Sequence, residues 1–311
     1  MAINLRELAL KEERLVSGHR LCAGCGASIV VRMVLNAIDE PVVVANATGC
    51  LEVATTIFPF NSWNVPWIHS AFENAAATIA GVEAAYRALK KKGEIDREIR
   101  FISFSGDGGT YDIGLQALSG AVERGHRAVF ICYNNEAYMN TGIQRSSATP
   151  RGTFTTTSPA GKVVPGKPQR RKNLTEMMVA NGARYVAQAS PSHWRDLMEK
   201  VRKAVNTDGP AFLNIYSTCP RGWRTPDNSA ISIARLAVET GVWPLYEVED
   251  GKYKINYKPP KGFKPVEEFL KVQGRFAHLL KPENAHILEE IKKDIEAEWK
   301  RLLSMEEATN K

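Results

Sequence analysis

No stretch of the 311 residues is apolar for long enough to span a bilayer. The opening MAINLRELALKEERLVSGHR alternates charge with apolar residues and lacks the unbroken apolar centre of a secretory leader. These two absences predict a cytoplasmic chain with no membrane partner. Charge of one sign is scarce as well. A net charge of +7 arises from 41 Lys and Arg against 34 Asp and Glu, interspersed as in LKKKGEIDREIR, and only GKVVPGKPQRRKN is a one-signed cluster. A solvated lysine-rich surface therefore outranks nucleic-acid binding, and docking of an acidic protein stays open. Cysteines number five, and the Cys-x-x-Cys at Cys22 and Cys25 has no second copy. In a cytoplasmic chain they are not expected as disulfides.

A hydrophobic content of 44% suffices for a real core, either as one large domain with an appendage or as two domains. Short β-branched or aromatic runs bounded by turn residues recur at 41–49, 99–108, 127–135, 183–190 and 210–219. Helical periodicity fills the spaces between them, in GASIVVRMVLNAI, NAAATIAGVEAAYRALKKK, IGLQALSGAVERG and SHWRDLMEKVRKAV. Strand and helix in alternation predict an α/β fold, a parallel sheet with helices on both faces. Residues 149–173, rich in Thr, Pro and Gly, read as a long functional loop. From about residue 231 the pattern changes to a helix, a turn-rich EVEDGKYKINYKPPKGFKP and the charged helix ENAHILEEIKKDIEAEWKRLLSM. The division expected is a cofactor domain over 1–230 and a C-terminal extension over 231–311, a helical arm in contact with another subunit. The apolar stripe of the last helix needs a surface to cover, on a partner or on its own domain.

In an open parallel sheet ligands bind beyond the carboxyl ends of the strands. Asp107 ends one predicted strand, and Asn134 and Asn135 end the next, one right-handed crossover away. Gly106, Gly108 and Gly109 leave room for an anion to approach backbone N–H groups where a helix begins, near Ile113. A carboxylate, an amide oxygen and a carbonyl, with phosphate oxygens completing the shell, suit Mg²⁺ on a diphosphate. Alone, GDGG is an ordinary βα turn. Followed after 25 residues by NN, it resembles the thiamine-diphosphate motif, and that resemblance implies Mg²⁺ on Asp107, Asn135 and the carbonyl of Ala137.

Cys132 lies in mid-strand and reads as a small core residue, whereas Cys22, Cys25, Cys50 and Cys219 sit at turns and strand ends. Four thiolates suit either a structural zinc ion or an iron–sulfur cluster. Cys50 and Cys219 stand singly at strand ends on the rim that carries Asp107, and this favours a cluster beside the cofactor.

GHRLCAGCGAS, ATGCLEVATTIFP, HSAFENAAATIAGVEAA, YNNEAYMNTGIQRSSATP and GPAFLNIYSTCPRGW, together with the GDGG segment, closely resemble the beta subunit of 2-oxoacid:ferredoxin oxidoreductases, in the pyruvate and 2-ketoisovalerate branch. The resemblance extends through SIARLAVETGVWPLYEVEDGKYKIN into the tail. It implies a proximal [4Fe–4S] cluster on Cys22, Cys25, Cys50 and Cys219, with thiazole and substrate contacts from Thr48, Gly49 and the candidate catalytic Asn140. It implies oxidative decarboxylation of pyruvate or a branched-chain 2-oxoacid with coenzyme A to acyl-CoA, CO₂ and reduced ferredoxin. The chain has no Cys-x-x-Cys-x-x-Cys-x-x-x-Cys-Pro run, so further clusters belong to another subunit. The implied partners are an alpha subunit carrying the activating carboxylate, a gamma subunit and a ferredoxin-like delta subunit. Glu52, His69, Glu73 and Asn74 are ambiguous between pocket and helix-start roles. A non-redox thiamine enzyme of the decarboxylase or acetolactate synthase type, and a zinc-stabilised α/β binding module, are the alternatives.

Overall fold

The structure, a computed structural model, describes residues 3–310. Its centre is one eight-stranded sheet built from β1 (Val42–Ala47), β2 (Trp67–Ser70), β3 (Arg100–Gly106), β4 (Val129–Asn134), β5 (Tyr185–Ala189), β6 (Ala211–Tyr216), β7 (Tyr246–Glu249) and β8 (Lys252–Ile255). The order is β2-β1-β3-β4-β6-β5-β7-β8. Neighbours run parallel from β2 to β5, and β7 and β8 add on antiparallel.

Every residue of β4, β5 and β6 is buried, as expected of strands covered on both faces. Successive side chains point to opposite faces. Val42, Val44, Ile102, Phe104, Ile131 and Leu213 meet the helices Gly26–Asn36 and Trp194–Asn206 in one cluster. Ala45, Phe101, Phe130, Cys132 and Phe212 face Ala75–Lys91, Leu115–Glu123 and Leu174–Ala180 in the other. All five strands read from sequence are present, with trimmed ends.

Three elements differ from the sequence reading. The helix expected near Ile113 starts at Gly108 as a π-helical turn, Gly108–Ile113, closed by Gly114 N–H donating to Gly109 O at 2.9 Å. β2 lies at the sheet edge, in a segment with no strand signal beyond a few apolar residues. Third, the turn-rich tail enters the sheet. Asp250 and Gly251, both at positive φ, close the two-residue hairpin between β7 and β8, so the sheet runs past residue 230 without a break.

The last helix, Ala285–Thr309, is present, and its stripe is covered by its own chain. Leu302 joins the cluster of Tyr246, Val248 and Tyr253, and Trp299 Nε1 donates to Gly241 O at 2.9 Å. Residues 149–173 contain no helix or strand. Among the described residues no helix is long and apolar enough to cross a membrane.

Candidate thiamine and thiol site

The register of β1, β3 and β4 aligns their carboxyl ends, pairing Asn46 with Phe104 and Gly106 with Tyr133. The residues that follow each strand, Thr48 to Cys50, Asp107 and Asn135, therefore gather on one rim. A cleft of about 120 Å³ opens there, lined by Thr48, Gly49, Cys50, Gly106, Gly108, Gly109, Asn135, Ala137 and Asn140, all of them expected from sequence. Phe72, Tyr133, Tyr138, Met139 and Thr141 complete it and were not expected.

Asp107 is fully buried at the base of the rim, and burial pushes its carboxyl up to about 7. Ser146 Oγ donates to Oδ2 at 2.5 Å and Asn135 N–H donates to Oδ1 at 3.2 Å, but among the described residues no Lys or Arg forms an ion pair with it. The tip of the Asn135 amide lies 2.9 Å from Asp107 Oδ1 and 2.8 Å from Ala137 O. With its nitrogen turned inward it donates to both; with its oxygen turned inward, three oxygens converge on one point. A hard cation requires the second arrangement, and its charge offsets the burial of Asp107. These residues thus fit Mg²⁺.

The glycines are there for space. A Cβ on Gly108 would stand 2.5 Å from the Tyr138 ring, and one on Gly109 2.4 Å from Ser105 Oγ. Tyr138 donates from its hydroxyl to Gly108 O at 3.2 Å, fastening the Asn140 loop over the start of the π-helical turn.

Glu136, at φ 67°, makes the turn that aims Asn135 and Ala137. Its carboxylate is buried between Arg275 Nη2 at 2.5 Å and Arg171 Nη2 at 3.0 Å. Arg275 lies 3.8 Å over the ring of Trp223, whose Nε1 donates to Asn135 O at 2.9 Å. Trp223 N–H in turn donates to Cys219 O at 2.9 Å. One tryptophan, by its indole and its backbone, therefore ties the Asp107–Asn135 turn to the Cys219 loop. Sequence reading missed this brace, because Arg275 is 139 residues from Glu136.

Gly26 N–H donates to Thr218 O at 2.9 Å, and a Cβ on Gly26 would meet Thr218 N at 2.4 Å, so the Cys22–Cys25 turn is wedged against the Cys219 loop. Burial raises the thiols of Cys25 and Cys50 and brings Cys219 to about 12, and neighbouring thiols of the set add to each shift. N–H groups of Ala27 and Ser28 serve Cys25, Gly222 N–H lies 3.3 Å from Cys219 Sγ, and the Asn140 amide serves Cys50. Asn140 thus touches the thiol set as well as lining the cleft. Among the described residues, no three His, Cys, Asp or Glu side chains are grouped to hold a single metal ion. N–H groups aimed at sulfur suit an iron–sulfur cluster held by thiolates. Cys132 is fully buried within β4, and burial drives its thiol well up.

His69 Nε2 lies 2.7 Å from Thr48 Oγ1 and 3.8 Å from Glu52 Oε2, which sets His69 between Thr48 and Glu52 at the rim. Asn74 makes no side-chain cap on Ala75–Lys91.

The domain described as "Thiamine pyrophosphate enzyme, C-terminal TPP binding domain" matches residues 47–215, which include the whole Asp107–Ala137 turn system. The chain is a thiamine-diphosphate-binding protein. It is 52% identical to "Pyruvate synthase subunit PorB" of Thermotoga maritima, over 99% of this chain and 98% of that one. It is 53% identical to the protein of the same name in Methanocaldococcus jannaschii, over 94% and 97%. Identity is 44% to "Ketoisovalerate oxidoreductase subunit VorB" of Pyrococcus abyssi, over 95% and 94%. The chain belongs to the family of beta subunits of 2-oxoacid:ferredoxin oxidoreductases. The fold is shared with a solved 2-oxoglutarate:ferredoxin oxidoreductase from Magnetococcus marinus, at TM-score 0.55 and 20% identity, over 72% of this chain and 79% of that one.

Proposed function

We propose that this chain holds thiamine diphosphate through Mg²⁺ on Asp107, Asn135 and the Ala137 carbonyl. Beside it, Cys22, Cys25, Cys50 and Cys219 hold a [4Fe–4S] cluster. The observation that carries the reading is the meeting of three oxygens around the Asn135 amide, on the same rim as Cys50. When bound, thiamine diphosphate supplies the carbon nucleophile and electron sink that decarboxylation of a 2-oxoacid requires.

The chain's own residues then divide the work. Gly106, Gly108 and Gly109 let the diphosphate approach backbone N–H groups, and Thr48, Gly49 and Asn140 line the thiazole and substrate end of the cleft. Asn140 reaches both the cleft and Cys50, so the electron acceptor stands at the wall of the substrate site. The established kinship is with subunits of larger enzymes, and we assign the activating carboxylate to an alpha subunit and the outgoing clusters to a ferredoxin-like delta subunit, with a gamma subunit completing the assembly. Coenzyme A accepts the acyl group and ferredoxin the electrons. Residues 231–311 serve as the subunit-contact extension. Support comes from a cleft of about 600 Å³ between the 149–173 loop and this extension, floored by Trp243, Phe269 and Phe276.

The higher identity to pyruvate synthase subunits than to VorB favours pyruvate over a branched-chain acid. Two measurements test the reading. Iron per chain, compared across Ser variants of all five cysteines, should fall for Cys22, Cys25, Cys50 and Cys219 and hold for Cys132, with thiamine binding retained throughout. Turnover of the assembled enzyme should be faster with pyruvate than with 2-ketoisovalerate. Full iron in Cys219→Ser, or its loss in Cys132→Ser, overturns the ligand set.

A further inference from the structure

Within the 149–173 loop two backbone stretches press together. Gly152 N–H donates to Lys167 O at 2.7 Å and Lys167 N–H donates to Thr153 O at 3.1 Å, and a Cβ on Gly166, at φ 88°, would stand 2.4 Å from Gly152 O. From this anchored backbone the Lys167 side chain runs inward, and the residue is 1% exposed. Its ammonium donates to Thr149 O at 2.6 Å and lies 3.3 Å from Ser147 O and 3.4 Å from Ser146 O. Lys200, equally buried, meets the carboxylate of Asp196 at 2.8 Å, whereas among the described residues Lys167 forms no ion pair. A buried ammonium needs acceptors for its three donors, and here one turn of backbone supplies them.

The same turn reaches both halves of the cation motif. Ser146 Oγ donates to Asp107 Oδ2 at 2.5 Å and accepts from Ala148 N–H at 3.1 Å. Thr149 Oγ1 accepts from Ser146 N–H at 2.9 Å and donates at 2.6 Å to the carbonyl of Glu136, the residue between Asn135 and Ala137. Oδ1, the other oxygen of Asp107, is the one that faces the tip of the Asn135 amide. Ser146 therefore fixes which carboxylate oxygen is spent inside the protein and which is turned to the point where the three oxygens converge.

We propose that Lys167 is a positioning residue for the cation: its ammonium gathers the carbonyls of Ser146, Ser147 and Thr149, and the turn so gathered holds the Ser146 hydroxyl on Asp107 Oδ2 with Oδ1 turned to Asn135 and Ala137. This rests on the Mg²⁺ reading above. Lys167 touches neither Asp107 nor the cleft and acts through Ser146, as the outer partners of metal ligands do, by fixing a ligand's orientation. A carboxylate already aimed gives up less freedom on binding than one that must first be turned.

The test titrates Mg²⁺ into the full chain at a fixed excess of thiamine diphosphate, with calorimetry as readout. Lys167→Met keeps most of the stem and removes the donors, and Ser146→Ala removes the hydroxyl. Each should weaken Mg²⁺ binding about tenfold to a hundredfold at unchanged circular dichroism, and Lys167→Gln, which retains an amide donor, should lose less. Because the two residues act through one bond, Ser146→Ala combined with either Lys167 change should lose no more than the larger single loss, whereas independent structural defects add. Wild-type Mg²⁺ affinity in Ser146→Ala overturns the proposal, and so do additive losses in the double variants. A Lys167→Met chain that fails to fold, beside a Lys167→Gln chain with wild-type Mg²⁺ affinity, overturns it too, because the ammonium then serves the fold alone. A wild-type chain whose thiamine diphosphate binding does not depend on Mg²⁺ overturns the Mg²⁺ reading and this inference with it.

Discussion

Asp107 is buried to the last atom, no ion pair among the described residues reaches it, and burial, with a smaller push from the Glu136 carboxylate, carries its carboxyl to about 7. A carboxylate in that position costs stability unless a cation arrives. Asp107→Ala should therefore abolish Mg²⁺-dependent thiamine binding in calorimetry while the chain folds and keeps its iron. Normal Mg²⁺-dependent binding by this variant would show that the cation sits elsewhere. At this scale the sequence was informative wherever a residue type is rare in its setting, as with an acid between glycines or a cysteine at a strand end. It was silent on Ser146, Tyr133 and Tyr138, because a serine or tyrosine carries no local sign of which atom it faces.

Two braces that sequence spacing hides tie the elements together, the first of them at the site. In one, Glu136, Arg275 and Trp223 tie the turn after β4 to the loop of Cys219. Arg275→Met strips one partner from a buried ion pair and should cost about 3 kcal/mol, toward the low end for such a loss because Arg171 still faces Glu136. Denaturant unfolding measures that cost. Thiamine affinity should fall with it, and a variant as stable as wild type would mean the pair carries no weight.

The other brace is β7, which brings Glu247 against the sheet, 3% exposed. The carboxylate accepts from Tyr185 Oη at 2.6 Å, Lys203 Nζ at 2.9 Å and Asn256 Nδ2 at 3.2 Å, and these bonds outweigh burial and hold its carboxyl down at about 2. A carboxyl depressed in the folded state contributes stability above its ordinary value and loses it as pH falls from there through about 2. Glu247→Gln should be less stable near neutrality, and its stability should drop less steeply over that acid window. Parallel acid dependence in the two proteins would show that Glu247 does not contribute. The Asp250-Gly251 pair is the one sequence signal for this hairpin, and the reading of the segment as merely turn-rich passed over it.

Across the whole molecule, the last helix spends its apolar stripe on its own sheet, through Leu302 and Trp299, and so gives no argument for a partner. Incompleteness of the chemistry does. Among the candidate residues no carboxylate besides Asp107 is assigned to the cofactor, and the cluster we propose on four thiols is a single one. The purified chain should bind thiamine diphosphate and iron yet fail to reduce a viologen dye with pyruvate and coenzyme A, and the dye should be reduced once the partner subunits are added. Dye reduction by the lone chain would place the entire reaction on these residues.

Composition and periodicity by themselves determined the alternating α/β order, the parallel sheet and the strand ends at which Asp107, Asn135 and the rim cysteines sit. Those features follow from burial on two faces and from turn chemistry, and both are written locally in the chain. Tertiary structure alone decided the antiparallel extension of the sheet past residue 230 and the burial of the last helix on its own domain. It also decided the contacts of Glu136 with Arg275 and of Gly26 with Thr218. Each is a contact between segments far apart in the chain, selected by which surfaces fit once the sheet has formed, and local residue patterns carry no record of that fit.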